Sequence, residues 1–273
     1  MKSMDSKSIG FIGAGIMAEA IIRGLIDRGV FSPSRIRIYD PAKERCDFFS
    51  STFGVIADAS NEQVIEKSDI IILAVKPQVM ASALAPAAST FRANQLVISI
   101  AAGIRTETLD TICGKIPAII RIMPNTPALI GQGISAICPG PRATEAHLEM
   151  TETIFSAVGS TIRVDESAMD GVTAISGSGP AYIFYWMENM LKAAGELGFE
   201  PSIARKLVYQ TFIGSSALAA ASQEAPEELR KRVTSKGGTT EAAIRTMNEA
   251  GVDRAVIAAV QAASRRSKEL SQS

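Results

Sequence analysis

The apolar residues of this chain follow two rhythms, short continuous runs in the first part and long helix-spaced runs in the second. Ile9, Phe11 and Ile12 read as a short strand that passes through glycines into a helix, whose apolar face continues through Ile21, Ile22, Leu25 and Ile26 until Gly29 offers a stop. Arg35 to Asp40 reads as the next strand. Asp69 to Val75 is a continuous apolar run of the kind buried in parallel sheets, closed by Lys76 and Pro77; Leu96 to Ile100 and Ala118 to Met123 repeat the pattern. Strand and helix signals that alternate in this way predict an α/β fold built on a doubly wound sheet, with ligands beyond the carboxyl ends of its strands. After the run Gly159 to Val164, β-branched stretches give way to alanine-rich helical patterns over 181–197, 201–221 and 253–270. The expected domains are therefore 1–164 and 165–273, the second all-helical. Its helices are apolar on more than one face, a property of helices that bury themselves in a second subunit.

Two glycine-rich stretches carry candidate chemistry. The first, Gly13-Ala14-Gly15-Ile16-Met17-Ala18, has the spacing G-x-G-x-x-A between a strand and a helix. Gly13 permits the tight turn, Gly15 lets a pyrophosphate approach the backbone, and Ala18 keeps the helix close to the sheet. Asp40 falls about 20 residues or slightly more beyond the glycines, where an acid binds the ribose of a dinucleotide. Strand, glycines, helix, strand and acid, in that order, predict a Rossmann-type dinucleotide site. The second stretch, Thr234-Ser235-Lys236-Gly237-Gly238-Thr239-Thr240, places two glycines and two threonines where a helix begins. Its backbone N–H groups and the positive end of the helix dipole suit a carboxylate or phosphate. The same stretch also fits a glycine turn followed by a threonine N-cap. Ser176-Gly177-Ser178-Gly179-Pro180 interrupts a helical pattern, and fits a kink or close helix packing as well as a wall that faces substrate.

Composition narrows the class. Of the 273 residues 47% are apolar, which is ample for two cores. The formal net charge is zero, without the basic excess of a nucleic-acid binder. Cys46, Cys113 and Cys138 lie far apart with no C-x-x-C pair, so neither a disulfide framework nor a metal site is expected. The polar start, residues 1–7, runs straight into the first strand with no signal peptide, and no apolar run reaches about 18 residues. A cytoplasmic protein without a membrane partner is expected. The single histidine, His147, falls in a polar surface helix over 144–156 and is left without a catalytic role.

Along essentially the whole chain these motifs resemble the pyrroline-5-carboxylate reductases. The family's I-G-F-I-G-x-G-x-M-A is met by Ile9 to Ala18, its A-V-K-P by Ala74 to Pro77, and its S-I-A-A-G by Ser99 to Gly103. Met123-Pro124-Asn125-Thr126-Pro127 and the stretch from Ser176 to Tyr182 stand as they do in the family, and so does the T-S-x-G-G-x-T of Thr234 to Thr240. The resemblance implies reduction of the cyclic imine Δ1-pyrroline-5-carboxylate to L-proline, the final step of proline biosynthesis. Hydride would come from NADPH, with NADH also possible, and a proton would go to nitrogen. For the substrate it implies a carboxylate held by Gly237, Gly238, Thr239 and Thr240, the Thr240 hydroxyl on the ring nitrogen, and Glu166 on the polar side of the pocket. For the cofactor it implies Gly13, Gly15, Ile16, Met17 and Asp40, then Asn61 near the adenine ribose. Ala74, Val75, Lys76 and Pro77 would follow along a strand end, with Ala101, Ala102 and Gly103 near the nicotinamide.

The same resemblance implies a homodimer or a ring of dimers. Asp40 disfavours a 2′-phosphate unless Lys43 or Arg45 compensates. Ile16 replaces a residue that is often polar in the family, and Lys236 replaces a frequent proline; neither removes a backbone donor. Two other readings share the N-terminal pattern. Another imine reductase or a β-hydroxyacid dehydrogenase relative would carry a lysine in its long interdomain helix, where 181–197 offers only Lys192. A non-catalytic dinucleotide-binding protein would have no use for Gly237 to Thr240.

Overall fold

The computed structural model describes residue 4 and residues 6–271, so the expectation about the N-terminal segment falls largely outside the described residues. The chain begins with strand β1 (Ile9–Ile12), helix α1 (Ile16–Asp27), β2 (Ile36–Tyr39), α2 (Lys43–Phe53), β3 (Ile56–Ala57) and α3 (Asn61–Glu66). It continues through β4 (Ile70–Leu73), α4 (Pro77–Leu84), β5 (Leu96–Ser99), α5 (Thr106–Ile112), β6 (Ala118–Met123) and β7 (Gly133–Pro139). Helix α6 (Glu145–Phe155), β8 (Gly159–Arg163) and α7 (Met169–Val172) complete this part. Five long runs anticipated as strands are β1, β2, β4, β5 and β6. The two-residue β3 and the glycine-led β7 carry too little apolar repetition to announce themselves.

The strands form one eight-stranded sheet in the order β3-β2-β1-β4-β5-β6-β7-β8. All neighbours are parallel except β6 and β7, which join through a short connection and are therefore antiparallel. Alternation along each strand sends Ile70 and Ile72 to one face and Ile71 and Leu73 to the other. The first pair joins Phe11, Ile36, Ile98, Ile120 and Ile137 in a core covered by α1, α2 and α6. The second pair joins Val97 and Ile119 in a core covered by α3, α4 and α5. Strand order reverses between β1 and β4, which opens a crevice at their carboxyl ends.

Contacts within the chain define two compact units, Met1–Ser178 with Ala263–Ser273, and Gly179–Ala262. The second is helical: α8 (Gly179–Glu196), α9 (Pro201–Ala221), α10 (Pro226–Arg232), α11 (Thr239–Glu249) and the first turns of α12 (Val252–Leu270). Pro201 and Pro226 stand at first helical positions, where the missing N–H costs no hydrogen bond. The stretch from Ser176 to Pro180 is not one unbroken α-helix, since Ser178 separates Gly177 from α8. Residues Thr173–Gly177 widen into a π-turn instead, closed by Ser178 N donating to Thr173 O at 2.8 Å. Gly177 is a close approach, since a Cβ there would meet Met123 Cε at 2.4 Å. Among the described residues no helix is long and apolar enough to cross a membrane.

Candidate active site

The first site lies at the carboxyl ends of β1, β2, β4 and β5. Gly13 leaves β1 at φ +99°, and a Cβ there would stand 2.8 Å from Ala74 O, so only glycine lets the chain turn so near the end of β4. Gly15 is the N-cap of α1 and meets nothing within 4 Å of a Cβ, which leaves open space in front of the helix N-terminus. Ala18 is fully buried, and Ile16 is 67% exposed on the open side. A cavity of about 430 Å³ beside them is lined by Gly13, Tyr39, Asn61, Glu62, Val75 and Ala83, among others. The structure thus brings Gly13, Asn61 and Val75 together around one space. The open glycine turn and the adjoining cavity fit the pyrophosphate and ribose of a dinucleotide.

Asp40 does more than wait for a ribose. Its Oδ2 accepts the Ala14 N–H at 2.8 Å and its Oδ1 accepts the Ala42 N–H at 2.9 Å. Arg45 Nε donates to Ala14 O at 2.8 Å and its Nη2 to Glu19 at 3.1 Å, with the guanidinium over the Phe48 and Phe49 rings. Acid and base therefore clamp both polar groups of the residue between Gly13 and Gly15. Arg45 is tied into this clamp, whereas Lys43 pairs with Asp47 on the surface. Lys76 caps α4 and Pro77 is its first residue, both at the edge of the same crevice.

Beyond β5, Ser99 Oγ accepts the Ala101 N–H at 3.3 Å, and Gly103 takes φ +76° with Leu270 against it. The same loop leads into Thr106 at the start of α5, where Glu166 is found. Glu166 Oε2 accepts the Thr106 N–H at 3.1 Å and the Thr106 hydroxyl, and its Oε1 accepts from Arg121 Nη1 at 2.7 Å. Burial pushes the Glu166 carboxyl up, but the Thr106 and Arg121 hydrogen bonds outweigh it and hold the group below the ordinary carboxylate value. Nearby Cys138 is pushed up to about 11 by burial and then by Glu166, and Cys113 to about 12 by burial, so neither is a thiolate at neutral pH.

In the helical unit, Gly237 takes φ +74° and Gly238 is the N-cap of α11. The cap is therefore glycine and not threonine. A Cβ on Gly238 would meet Ser235 Oγ at 2.5 Å, which accounts for the second glycine. Two of the anticipated anion donors are engaged within the loop: Gly238 N donates to Ser235 O at 3.0 Å and Gly237 N to Glu241 Oε2 at 2.6 Å. The donors without an intrahelical acceptor are those that follow, at Thr239, Thr240 and Glu241 in the first turn of α11. Thr240 is partly exposed at this end.

Comparison with known proteins bears on both halves. A family model described as pyrroline-5-carboxylate reductase dimerisation matches residues 166–270, and one described as NADP oxidoreductase coenzyme F420-dependent matches residues 8–103. The chain is 40% identical over 270 residues to pyrroline-5-carboxylate reductase of Pseudomonas aeruginosa, covering 98% of each. It is 39% identical over 271 residues to the Arabidopsis thaliana enzyme of that name, covering 98% of this chain and 97% of the other. The chain belongs to the pyrroline-5-carboxylate reductase family. The solved reductase of Coxiella burnetii superposes with a TM-score of 0.91 at 35% identity, covering 98% of this chain and 100% of that one. The Plasmodium falciparum pyrroline carboxylate reductase, solved with NADP bound, gives 0.90 at 29% identity over 98% and 99%.

The contacts of three other residues are also plain. Lys192 pairs with Glu188 one turn away on an exposed face of α8, as an ordinary surface pair. His147 Nδ1 accepts the Thr144 N–H at 3.2 Å at the start of α6, so the lone histidine is a helix-cap partner. Arg121 carried no signal in the sequence because a single arginine inside an apolar strand looks like an edge or a register error. At 2% exposure it is a buried charge in the first unit.

Proposed function

We propose that this protein reduces Δ1-pyrroline-5-carboxylate to L-proline, and that it uses NADPH as the hydride donor, with NADH as a second donor. The observation that carries this reading is a pair of glycine turns on one chain of this family, the open Gly15 turn before α1 and the Gly237-Gly238 turn before α11. When bound, NADPH supplies the hydride. Gly13, Gly15, Ile16 and Met17 would receive the pyrophosphate at the helix N-terminus, Asp40 and Asn61 the adenine ribose, and Ala74 to Pro77 the strand-end side. Ala101, Ala102 and Gly103 would lie against the nicotinamide.

For the substrate, the first-turn N–H groups of Thr239 and Thr240 would hold the carboxylate, with Gly237 and Gly238 shaping the turn. The Thr240 hydroxyl would hydrogen-bond the ring nitrogen, where charge changes during the reaction. An imine that is protonated before it binds leaves the chain to align donor and acceptor instead of supplying a strong acid. That suits a protein whose histidine caps a helix and whose Cys113 and Cys138 thiols stay protonated. The apolar helices of the second unit support a homodimer, and a ring of dimers would bury still more of them. The balance of surface charge and the three free cysteines suit the cytoplasm.

The test is oxidation of NADPH, and separately NADH, by purified protein with Δ1-pyrroline-5-carboxylate, followed by absorbance and by identification of proline. Substrate-dependent oxidation of NADPH is expected, and the ratio of the two rates reads whether Asp40 excludes the 2′-phosphate. Folded protein that oxidises neither would remove the assignment.

A further inference from the structure

A charge removed from water persists only where it is paired, and Arg121 is such a charge. It lies on β6 at 2% exposure, and of its donors Nη1 reaches Glu166, while Nε and Nη2 are buried without a protein partner. Glu166 passes the connection on, because its other oxygen takes both the backbone N–H and the hydroxyl of Thr106. One carboxylate therefore ties the middle of β6, the turn before α7 and the exit of the loop 101–105. The entrance of that loop is fixed independently. Ile100 N donates to Leu73 O at 3.1 Å and Ala101 N to Ser99 Oγ at 3.3 Å. Between these two anchors the backbone passes Gly103 in the left-handed region, a conformation that other residues seldom take.

We propose that Arg121 and Glu166 are positioning residues for hydride transfer, which fix the exit of the loop 101–103 through Thr106, and that Glu166 does this instead of binding substrate. The proposal rests on the reading above that this loop lies against the nicotinamide. Three of the four interactions recorded for the Glu166 carboxylate go to Thr106, so the group is aimed at the loop. Arg121 acts only through it, donating Nη1 to Oε1 at 2.7 Å and so fixing the orientation in which the other oxygen meets Thr106. A shift of about 1 Å in a group that aligns reactants can cost about a hundredfold in rate, so a loosened loop is expected to show in turnover more than in fold.

The experiment compares Glu166→Gln and the double variant Arg121→Met/Glu166→Met with the parent protein. The double variant removes both buried charges and fills their space, which is often neutral for stability. Expected for it are a melting temperature near that of the parent, an unchanged KM for pyrroline-5-carboxylate, and kcat lower by about tenfold or more. Amide hydrogen exchange over 101–106 should rise in both variants, with NADPH affinity measured alongside. A folded double variant that keeps parental kcat would reduce the pair to a structural role and overturn the proposal. A raised KM for the imine in Glu166→Gln, with exchange in the loop unaltered, would make Glu166 a substrate ligand and also overturn it. Should the double variant not fold, Glu166→Gln decides alone by kcat and loop exchange. If the parent itself lacks turnover, the functional reading fails separately, and the exchange result still shows whether Glu166 holds the loop.

Discussion

The two units of this protein handle the same kind of residue in opposite ways. In the first, Ile9, Phe11, Ile36, Ile70, Ile72, Ile98 and Ile120 are at most 1% exposed, because a sheet with helices on both faces closes its core within one chain. In the second, only Ala204 and Val208 are buried among the described apolar residues, while Phe184, Tyr185, Leu197 and Ile213 are 61–77% exposed. Tyr182, Tyr185 and Trp186 of α8 form, with Val252, Val256 and Val260 of α12, an almost wholly apolar groove of about 430 Å³. Helices of this kind do not complete a core alone; they present one half of it. The difference teaches that apolar content predicts burial only together with the architecture that receives it.

The sharpest way to break the comparison is to hollow out the first unit. Phe11→Ala deletes a fully buried ring between β1 and its covering helices, and should cost about 3–5 kcal/mol in urea unfolding followed by circular dichroism. Particle mass should stay as it is in the folded protein. A loss below about 1 kcal/mol would mean that the sheet core is not the self-sufficient part.

Next in size are two substitutions that separate the duties assigned to the units. Thr240→Ala should lower kcat by about a hundredfold while NADPH affinity and melting temperature stay put, since one hydroxyl at a reacting atom is removed. Gly15→Val should instead weaken NADPH binding, measured by equilibrium titration, because its side chain fills the open space before α1. Equal turnover in Thr240→Ala, or equal NADPH affinity in Gly15→Val, would undo the corresponding assignment. A smaller effect is expected from Ile213→Glu on α9. It touches no core within the chain at 61% exposure, so the fold should survive while the oligomer dissociates at about tenfold higher concentration, as read by light scattering. Unchanged mass at every dilution would show that this part of the helical surface faces water in the assembly.

Much of this was legible beforehand, for reasons that particular residues make plain. Strands β1, β4, β5 and β6 announce themselves because parallel strands buried on both faces need unbroken aliphatic runs, and the G-x-G-x-x-A spacing announces the turn from β1 into α1, where Gly13 alone is demanded by its backbone and by Ala74. The exposed apolar helices were legible from their breadth. What stayed hidden depends on side-chain direction. That Asp40 turns back to Ala14, that the Gly238 N–H is engaged by Ser235, and that Glu166 joins Arg121 across 45 positions are facts of three-dimensional register. The π-turn at Thr173–Gly177 was hidden for another reason: glycines that suggest a break serve equally well to let Met123 approach.

The smallest predicted effect concerns His147, and it separates capping from charge. Burial lowers the imidazole's pKa below its ordinary value, a hydrogen bond with the Arg142 backbone raises it, and nearby Lys7 lowers it further. The net direction is down, so the unfolded chain takes up the proton at a higher pH than the folded one. Its contribution to stability is thus complete above about pH 6.5 and declines as pH falls toward the folded-state value. Urea unfolding at pH 7.5 and pH 5.5 should show this decline in the parent protein. Glutamine at N3 can accept the same Thr144 N–H without titrating, so His147→Gln should keep the cap and lose that part of the pH dependence. His147→Ala should lose both, at a cost of about 0.5–2 kcal/mol at neutral pH. If the parent and His147→Gln decline in parallel between the two pH values, His147 is not the source of the decline and its folded-state pKa is not lowered as the burial requires.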